Sequence, residues 1–284
     1  MKGSILGLSL AVVLVFTASA TSAQTTIVVT PESAGVFGTG QTGQPEGGNQ
    51  VVGVAGDSAP GFSFGSFASN GVLKTDMYFP PEMIFGREVT VGEVASMSYW
   101  TKKGTTHAVD PKDWYLILYT KPYAGQLGGG WYGVRLGLEP YYAMNMADPA
   151  GEWNQWSTSA GANQLRAYES TYNYFGSYSD PSWETLQGMM SKSGSRGPGV
   201  AYAEQRILAF SIHTASNWSD FVGQLDGFEI HLNDGSSVRV NFEPFAVATD
   251  KEQCKDGGWT SLRRADGTGF KNQGACVSYT NTGR

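Results

Sequence analysis

Gly227-Phe228-Glu229-Ile230-His231-Leu232-Asn233-Asp234-Gly235-Ser236-Ser237-Val238-Arg239-Val240-Asn241-Phe242-Glu243 alternates apolar and polar residues on both sides of a single break. Side chains along a strand point to opposite faces in turn, so Phe228, Ile230 and Leu232 share one face, as do Val238, Val240 and Phe242. Asn233-Asp234-Gly235-Ser236 interrupts the alternation, and Asp-Gly reaches the positive φ that a tight turn requires. The stretch therefore reads as a β-hairpin with one apolar face, leaving Glu229, His231, Arg239 and Asn241 on the other. An apolar face of this size needs a second layer to cover it.

Working outward from the hairpin, Arg206 to Thr214 sets Leu208, Phe210 and Ile212 against Ala209, Ser211 and His213, the pattern of a half-buried strand. Asp113 to Thr120 is apolar on both alternating faces, as a strand covered on both sides requires, and Lys121-Pro122 ends it. Val94 to Trp100 and Trp131 to Leu138 read as its neighbours. Pro181, Ser182 and Trp183 can open a short helix through Met190 before the Gly- and Ser-rich residues 191–199 break it. Helices and strands do not alternate through the middle of the chain, so a doubly wound fold fits badly and an all-β, antiparallel β-sandwich fits best.

The 284 residues include 38 Gly, 14 Tyr, 14 Phe and 8 Trp, and only 15% are charged, which leaves little material for long charged helices. A net charge of -6 points away from nucleic acid and anionic lipid as partners. At the N-terminus, Met1, Lys2 and Gly3 lead into the apolar run Ile5 to Phe16 and then Ala18-Ser19-Ala20. The run is shorter than the roughly 18 to 20 residues that cross a bilayer, and Ala-x-Ala suits a signal peptidase, so residues 1–23 read as a cleaved signal peptide rather than a membrane span. The expected divisions are a Gly/Thr/Gln-rich arm over 24–60, in which the β-branched run Thr26 to Thr30 suggests one strand, a sandwich over 61–246 and a small appendage over 247–284. Cys254 and Cys276 both fall in that appendage, and in an oxidising compartment they are expected to pair and staple it.

Two motif spellings dissolve on inspection. Gly38-Thr39-Gly40-Gln41-Thr42-Gly43 has dinucleotide-site spacing, yet Gln44-Pro45-Glu46-Gly47-Gly48 forbids the helix that must follow. Gly61-Phe62-Ser63-Phe64-Gly65 lacks the strand and helix that expose a hydrolase nucleophile.

Asn217-Trp218-Ser219-Asp220, Gln224-Leu225-Asp226-Gly227-Phe228 and Val240-Asn241-Phe242-Glu243 resemble the late turn, Asp-Gly strand and ending of secreted bacterial proteins with a jelly-roll or concanavalin-like sandwich. Cys254-Lys255-Asp256-Gly257-Gly258-Trp259 with Phe270-Lys271-Asn272-Gln273-Gly274-Ala275-Cys276-Val277 resembles a short tail found on such proteins. The resemblance implies extracellular placement and no particular activity.

Sugars bind by stacking on aromatic rings while amides and charged groups take their hydroxyls. Residues 141–178 are dense in both and read as loops, with Tyr141, Tyr142, Trp153, Asn154, Trp156, Arg166 and Tyr172 as the candidate ligand-binding residues. The expected function is that of a secreted, non-catalytic protein whose partner is a polysaccharide or cell-envelope glycan. An extracellular structural or surface-interaction protein is the first alternative and a glycan-cleaving enzyme the second. The cleaving enzyme lacks a Glu-x-Asp-x-x-Glu string, and Asp226 and Glu229, three apart, fall on opposite faces of an unbroken strand. Other pairs, such as Glu139 with Glu152, can still converge through the fold. No cofactor is expected. A structural calcium ion bound through Asp148, Asp180 or Asp226 stays open, whereas His213 and His231, on the polar faces of strands that could be neighbours, lack further ligands for zinc.

Overall fold

The computed structural model describes residues 24–34, 51–69, 71, 75–104, 112–125, 130–140, 148–161, 163–169, 184–192, 200–214 and 221–283. The signal-peptide segment, the 38–43 glycine motif, Asn217 and Asp180 lie outside them. Among the described residues no helix is long and apolar enough to cross a membrane.

Among the described residues twelve strands make two sheets. A seven-stranded sheet contains β1 (Thr25–Val29), β2 (Val51–Ala55), β3 (Gly65–Ser69), β5 (Val94–Lys103), β8 (Asn154–Ser157), β11 (Gly223–Leu232) and β12 (Ser237–Phe242). A five-stranded sheet runs β4 (Asp76–Phe79), β10 (Ile207–His213), β6 (Tyr115–Thr120), β7 (Arg135–Glu139) and β9 (Arg166–Glu169) in that order. All pairings are antiparallel except β1 against β12.

The inner faces meet through aromatic and aliphatic side chains. Phe79 of the five-stranded sheet lies 5.8 Å from Phe228 and 6.5 Å from Phe242 of the other, ring to ring. Leu116, Leu118, Leu136, Leu138, Phe210 and Ile212 complete one wall, and Tyr99, Met97, Ile230 and Val240 the other. Each buried Phe or Leu contributes about 1.5–3 kcal/mol, so this shared core is what holds the two sheets together.

β11 and β12 form the expected hairpin, with Phe228, Ile230, Leu232, Val238, Val240 and Phe242 all buried on its inner side. β11 is the organising strand. One edge pairs with β5 along its length, and the other is divided between β3 at Gln224 and Leu225 and β12 from Phe228 to His231.

Several expectations need correction. The arm is part of the seven-stranded sheet: β1, on the expected β-branched run, pairs with β12, and β2, which was not expected, pairs with β3. Val94 to Trp100 neighbours the hairpin and not β6, whereas β7 does pair with β6. β10 is buried on both faces and bulges between Ile207 and Ala209, which places Leu208 against the outer aromatic cluster. Residues 141–178 are not all loop, since β8 and β9 lie in that range. The short helix is confined to Leu186–Met189, capped by Thr185 Oγ1 accepting from Gly188 N. The histidines fall in different sheets, His213 in β10 and His231 in β11.

The appendage is stapled by a Cys254–Cys276 disulfide. It has a small core of its own in Ala248, Leu262, Phe270 and the two cysteines. A helix over Gln273–Thr282 closes it, started by Asn272 Oδ1 accepting from Ala275 N and stopped at Gly283 in the left-handed conformation.

Candidate binding groove on the seven-stranded sheet

The outer face of the seven-stranded sheet bears an open groove of about 630 Å³. Val52 and Val54 of β2, Ala68 and Ser69 of β3, Lys102 of β5 and Val222 to Gln224 at the start of β11 line it. Its walls are mostly apolar, and Val52 and Val222 remain 50% and 46% exposed. The groove lies across neighbouring strands, where Gln224 of β11 pairs with Ala68 of β3 on one side and Lys102 of β5 on the other, and Val52 of β2 pairs with Ala68. Pro244 wedges against the β2–β3 hairpin so closely that a Cβ at Gly53 would stand 2.5 Å from its Cα.

Asp57, in the β2–β3 turn, organises the polar rim. Its Oδ2 accepts from Lys102 Nζ at 2.6 Å and from Gln224 Nε2 at 2.9 Å, and its Oδ1 accepts from Trp153 Nε1 at 3.0 Å. Burial on its own pushes the Asp57 carboxyl up, but the hydrogen bonds from Lys102, Gln224 and Trp153 outweigh it and hold the group below its ordinary pKa. Ser66 Oγ donates to Gln224 Oε1 at 2.8 Å, which fixes the orientation of that amide. Trp100 stands on the same face of β5 as Lys102, directly across from Gln155 of β8. Trp100 and Trp153 are half-buried and Gln155 is exposed.

The candidate residues divide accordingly. Trp153 reaches this rim. Asn154 and Trp156, the next inward-facing positions, support it from below: Asn154 Nδ2 donates to Asp148 Oδ1 and to the Pro149 and Glu152 carbonyls, tying down the turn that carries Trp153. Trp156 is 0% exposed and its Nε1 donates to Thr101 Oγ1 at 2.8 Å, so it is a core residue and not a ligand contact. Arg166 is on the other sheet, across from Glu139. Tyr141, Tyr142 and Tyr172 lie outside the described residues.

Beneath Trp153 is a closed polar network. Lys103 Nζ is 2.5 Å from Asp148 Oδ2, with both side chains buried, and Thr101 Oγ1 donates to Asp113 Oδ2 at 2.5 Å. Burial and the neighbouring Asp148 charge drive the Asp113 carboxyl well up; burial raises Asp148, and the Lys103 cation works against that.

The outer face of the five-stranded sheet is the other aromatic surface. Register places Asp76, His213, Tyr115, Glu139 and Arg166 in one row across all five strands, with Tyr78, Ser211, Ile117, Gly137 and Tyr168 in the next. Tyr78 donates to Asp76 Oδ2 at 3.1 Å, and Tyr115 stacks on His213 at 5.6 Å. Tyr168 lies across Gly137, where a Cβ would meet its ring at 2.5 Å, and its hydroxyl donates to Glu139. Burial raises Glu139 to about 7, moderated by that hydrogen bond and by Arg135. Tyr78, Tyr115, Tyr119 and Tyr168 are all buried, with Trp131 and Tyr132 half-buried beside them, so most of these rings pack on one another.

Among the described residues, neither Glu139 with Glu152 nor Asp226 with Glu229 forms an open facing pair. Asp76 and Glu139 stand three strand spacings apart, roughly 14 Å, against the ~5–9.5 Å that glycoside hydrolysis uses. Glu139 is buried on this face, whereas Glu152 is exposed in the turn before Trp153. Asp226 and Glu229 share a face after all, because β11 bulges between them. Asp226 is nonetheless sealed, accepting from the backbone amides of Ala59, Gly227 and Phe242. Among the described residues no group of three His, Cys, Asp or Glu side chains is placed to hold a metal ion. Asp148 and Asp226 are instead occupied by Lys103 and by backbone amides.

Asp57, Trp100, Lys102 and Gln224 had no linear signal, since Asp57 is 45 residues from Lys102 and 167 from Gln224. Comparison with known proteins finds no matching family model, no matching curated protein and no matching solved structure.

Proposed function

We propose that the chain is a secreted, non-catalytic carbohydrate-binding protein that holds a polysaccharide or cell-envelope glycan in the groove over the seven-stranded sheet. The observation that supports this reading is an open groove of about 630 Å³ lined by Lys102 and Gln224, beside which Asp57 holds the half-buried Trp153, with the half-buried Trp100 next along the same face of β5. Indole faces accept the apolar faces of sugar rings, and amide and ammonium groups take the hydroxyls. Asp57 fixes Trp153, Lys102 and Gln224 before any ligand arrives, which lowers the entropy lost on binding. Secretion rests on the signal-peptide pattern of residues 1–23 and fits the disulfide.

The structural or surface-interaction reading draws on a different observation, the burial of the tyrosines on the five-stranded sheet, where rings serve packing. Titration with soluble oligosaccharides, followed by tryptophan fluorescence, separates the two. A saturable spectral change that disappears in Trp153→Ala supports the groove; an unresponsive spectrum across glucans, xylans, chitin and peptidoglycan fragments favours the structural reading.

A further inference from the structure

The groove over the seven-stranded sheet is aliphatic rather than aromatic. Among the described residues that line it, Val52, Val54, Ala68 and Val222 supply the apolar side chains, and Gly104, Gly151 and Gly223 bring none. Sugar rings stack on flat aromatic faces, and that surface stands at the rim, in Trp153. Branched aliphatic walls suit methyl groups instead, which gain by leaving water and need no flat partner.

The polar groups open to this lining are donors. Lys102 Nζ and Gln224 Nε2 both donate to Asp57 Oδ2, and an ammonium and an amide NH2 each carry further N–H groups. The Lys102 side chain is 23% exposed and Gln224 is half-buried, so both are accessible from the groove. Ser69 Oγ is satisfied within the fold, donating to the Phe221 carbonyl and accepting from Gly223 N. Charge is already balanced, because Lys102 is paired with Asp57 and Lys103 with Asp148, so an anionic chain has little to gain here.

Register sets donors and methyl surface side by side. Gln224 has Lys102 across from it on one strand and Ala68 on the other, and the exposed Val222 precedes it by two residues on the same face, roughly 7 Å along the chain. A carbonyl oxygen that accepts from Lys102 and Gln224 therefore directs a methyl on the same carbon toward Ala68 and Val222. We propose that the groove binds acetyl-substituted sugar units, the acetyl carbonyl accepting from Lys102 Nζ and Gln224 Nε2, its methyl packing on Ala68 and Val222, and the sugar ring resting on Trp153. This inference rests on the glycan reading of the same groove and narrows it to chains that carry acetamido or acetoxy groups.

Isothermal titration calorimetry of the purified protein with two matched pairs tests it: chitotetraose beside cellotetraose for the amide, and acetylated xylotetraose beside xylotetraose for the ester. The acetyl-bearing member should bind at least about tenfold tighter in one pair or both, and the pair that shows the gain tells amide from ester. Val222→Thr, at a position 46% exposed, exchanges a methyl for a hydroxyl of the same shape. It should weaken the favoured acetylated chain about threefold or more and leave its unsubstituted counterpart unchanged. Equal affinity within both pairs, or an undiminished acetyl preference in Val222→Thr, would overturn the acetyl assignment and leave the glycan reading standing. No saturable binding of any of the four would overturn both.

Discussion

Asp57 and Trp153 meet across 96 residues of chain, and a single carboxylate sets the geometry of three groove side chains. Asp57→Ala should release Trp153, Lys102 and Gln224 together. It should weaken glycan retention severalfold while costing only about 1–2 kcal/mol of stability by denaturant titration. Trp156→Ala acts differently, because the side chain fills the core between the sheets: a loss of about 3–5 kcal/mol is expected, so a binding defect in that variant reports unfolding. Lys103→Met strands the buried Asp148 and Asp113 carboxyls and should cost about 3–5 kcal/mol in the same titration. Three other carboxyls give stability a pH dependence. Burial raises Glu139 and Asp226 to about 7 and Glu243 to about 8. A raised carboxyl favours the protonated fold, so its contribution is complete below the ordinary carboxylate range and is lost as pH climbs through the folded value. The melting temperature should therefore fall between pH 5 and pH 8, and Glu139→Gln combined with Glu243→Gln should flatten that decline; a melting temperature that rises over this range would refute the assignment.

The β11–β12 hairpin was legible because its apolar residues alternate without interruption on each side of Asp234-Gly235, and periodicity is a local signal. What alternation could not show was the bulge in β11. Gly227 takes φ +61 beneath the Phe62 ring, and this extra residue carries Asp226 and Glu229 to the same face. Gly227→Ala forces a Cβ into a ring 2.4 Å away in a conformation unfavourable for alanine, and should cost about 2 kcal/mol or more by thermal or chemical unfolding. β1 is the strand that the β-branched run Thr26 to Thr30 suggests, whereas β2 gave no such signal because it sits beside glycine-rich chain. β1 is held by β12, a partner far along the sequence, and β2 by β3, its neighbour in the chain. The groove was invisible because its parts are distant in sequence: Trp153 and Gln155 belong to the aromatic-rich stretch 141–178, whereas Asp57, Lys102 and Gln224 do not.

The molecule as a whole is a sandwich with one large shared core and an appendage whose core is separate and small. The Cys254–Cys276 bridge closes a segment with a sequence separation of 22, worth about 3 kcal/mol on the chain-entropy model. Reduction should unfold the appendage while the sandwich keeps its strand signal in circular dichroism, and proteolysis of the reduced protein should then cut within 247–284 first. The central claim, that the groove over the seven-stranded sheet holds a glycan, is tested most directly by pull-down of the purified protein on cellulose, chitin, xylan and peptidoglycan, wild type beside Trp153→Ala. Retention of the wild type on at least one of these, lost in a folded Trp153→Ala variant, is the predicted result. Retention that survives the substitution would put the site elsewhere, and no retention on any of the four would contradict the account.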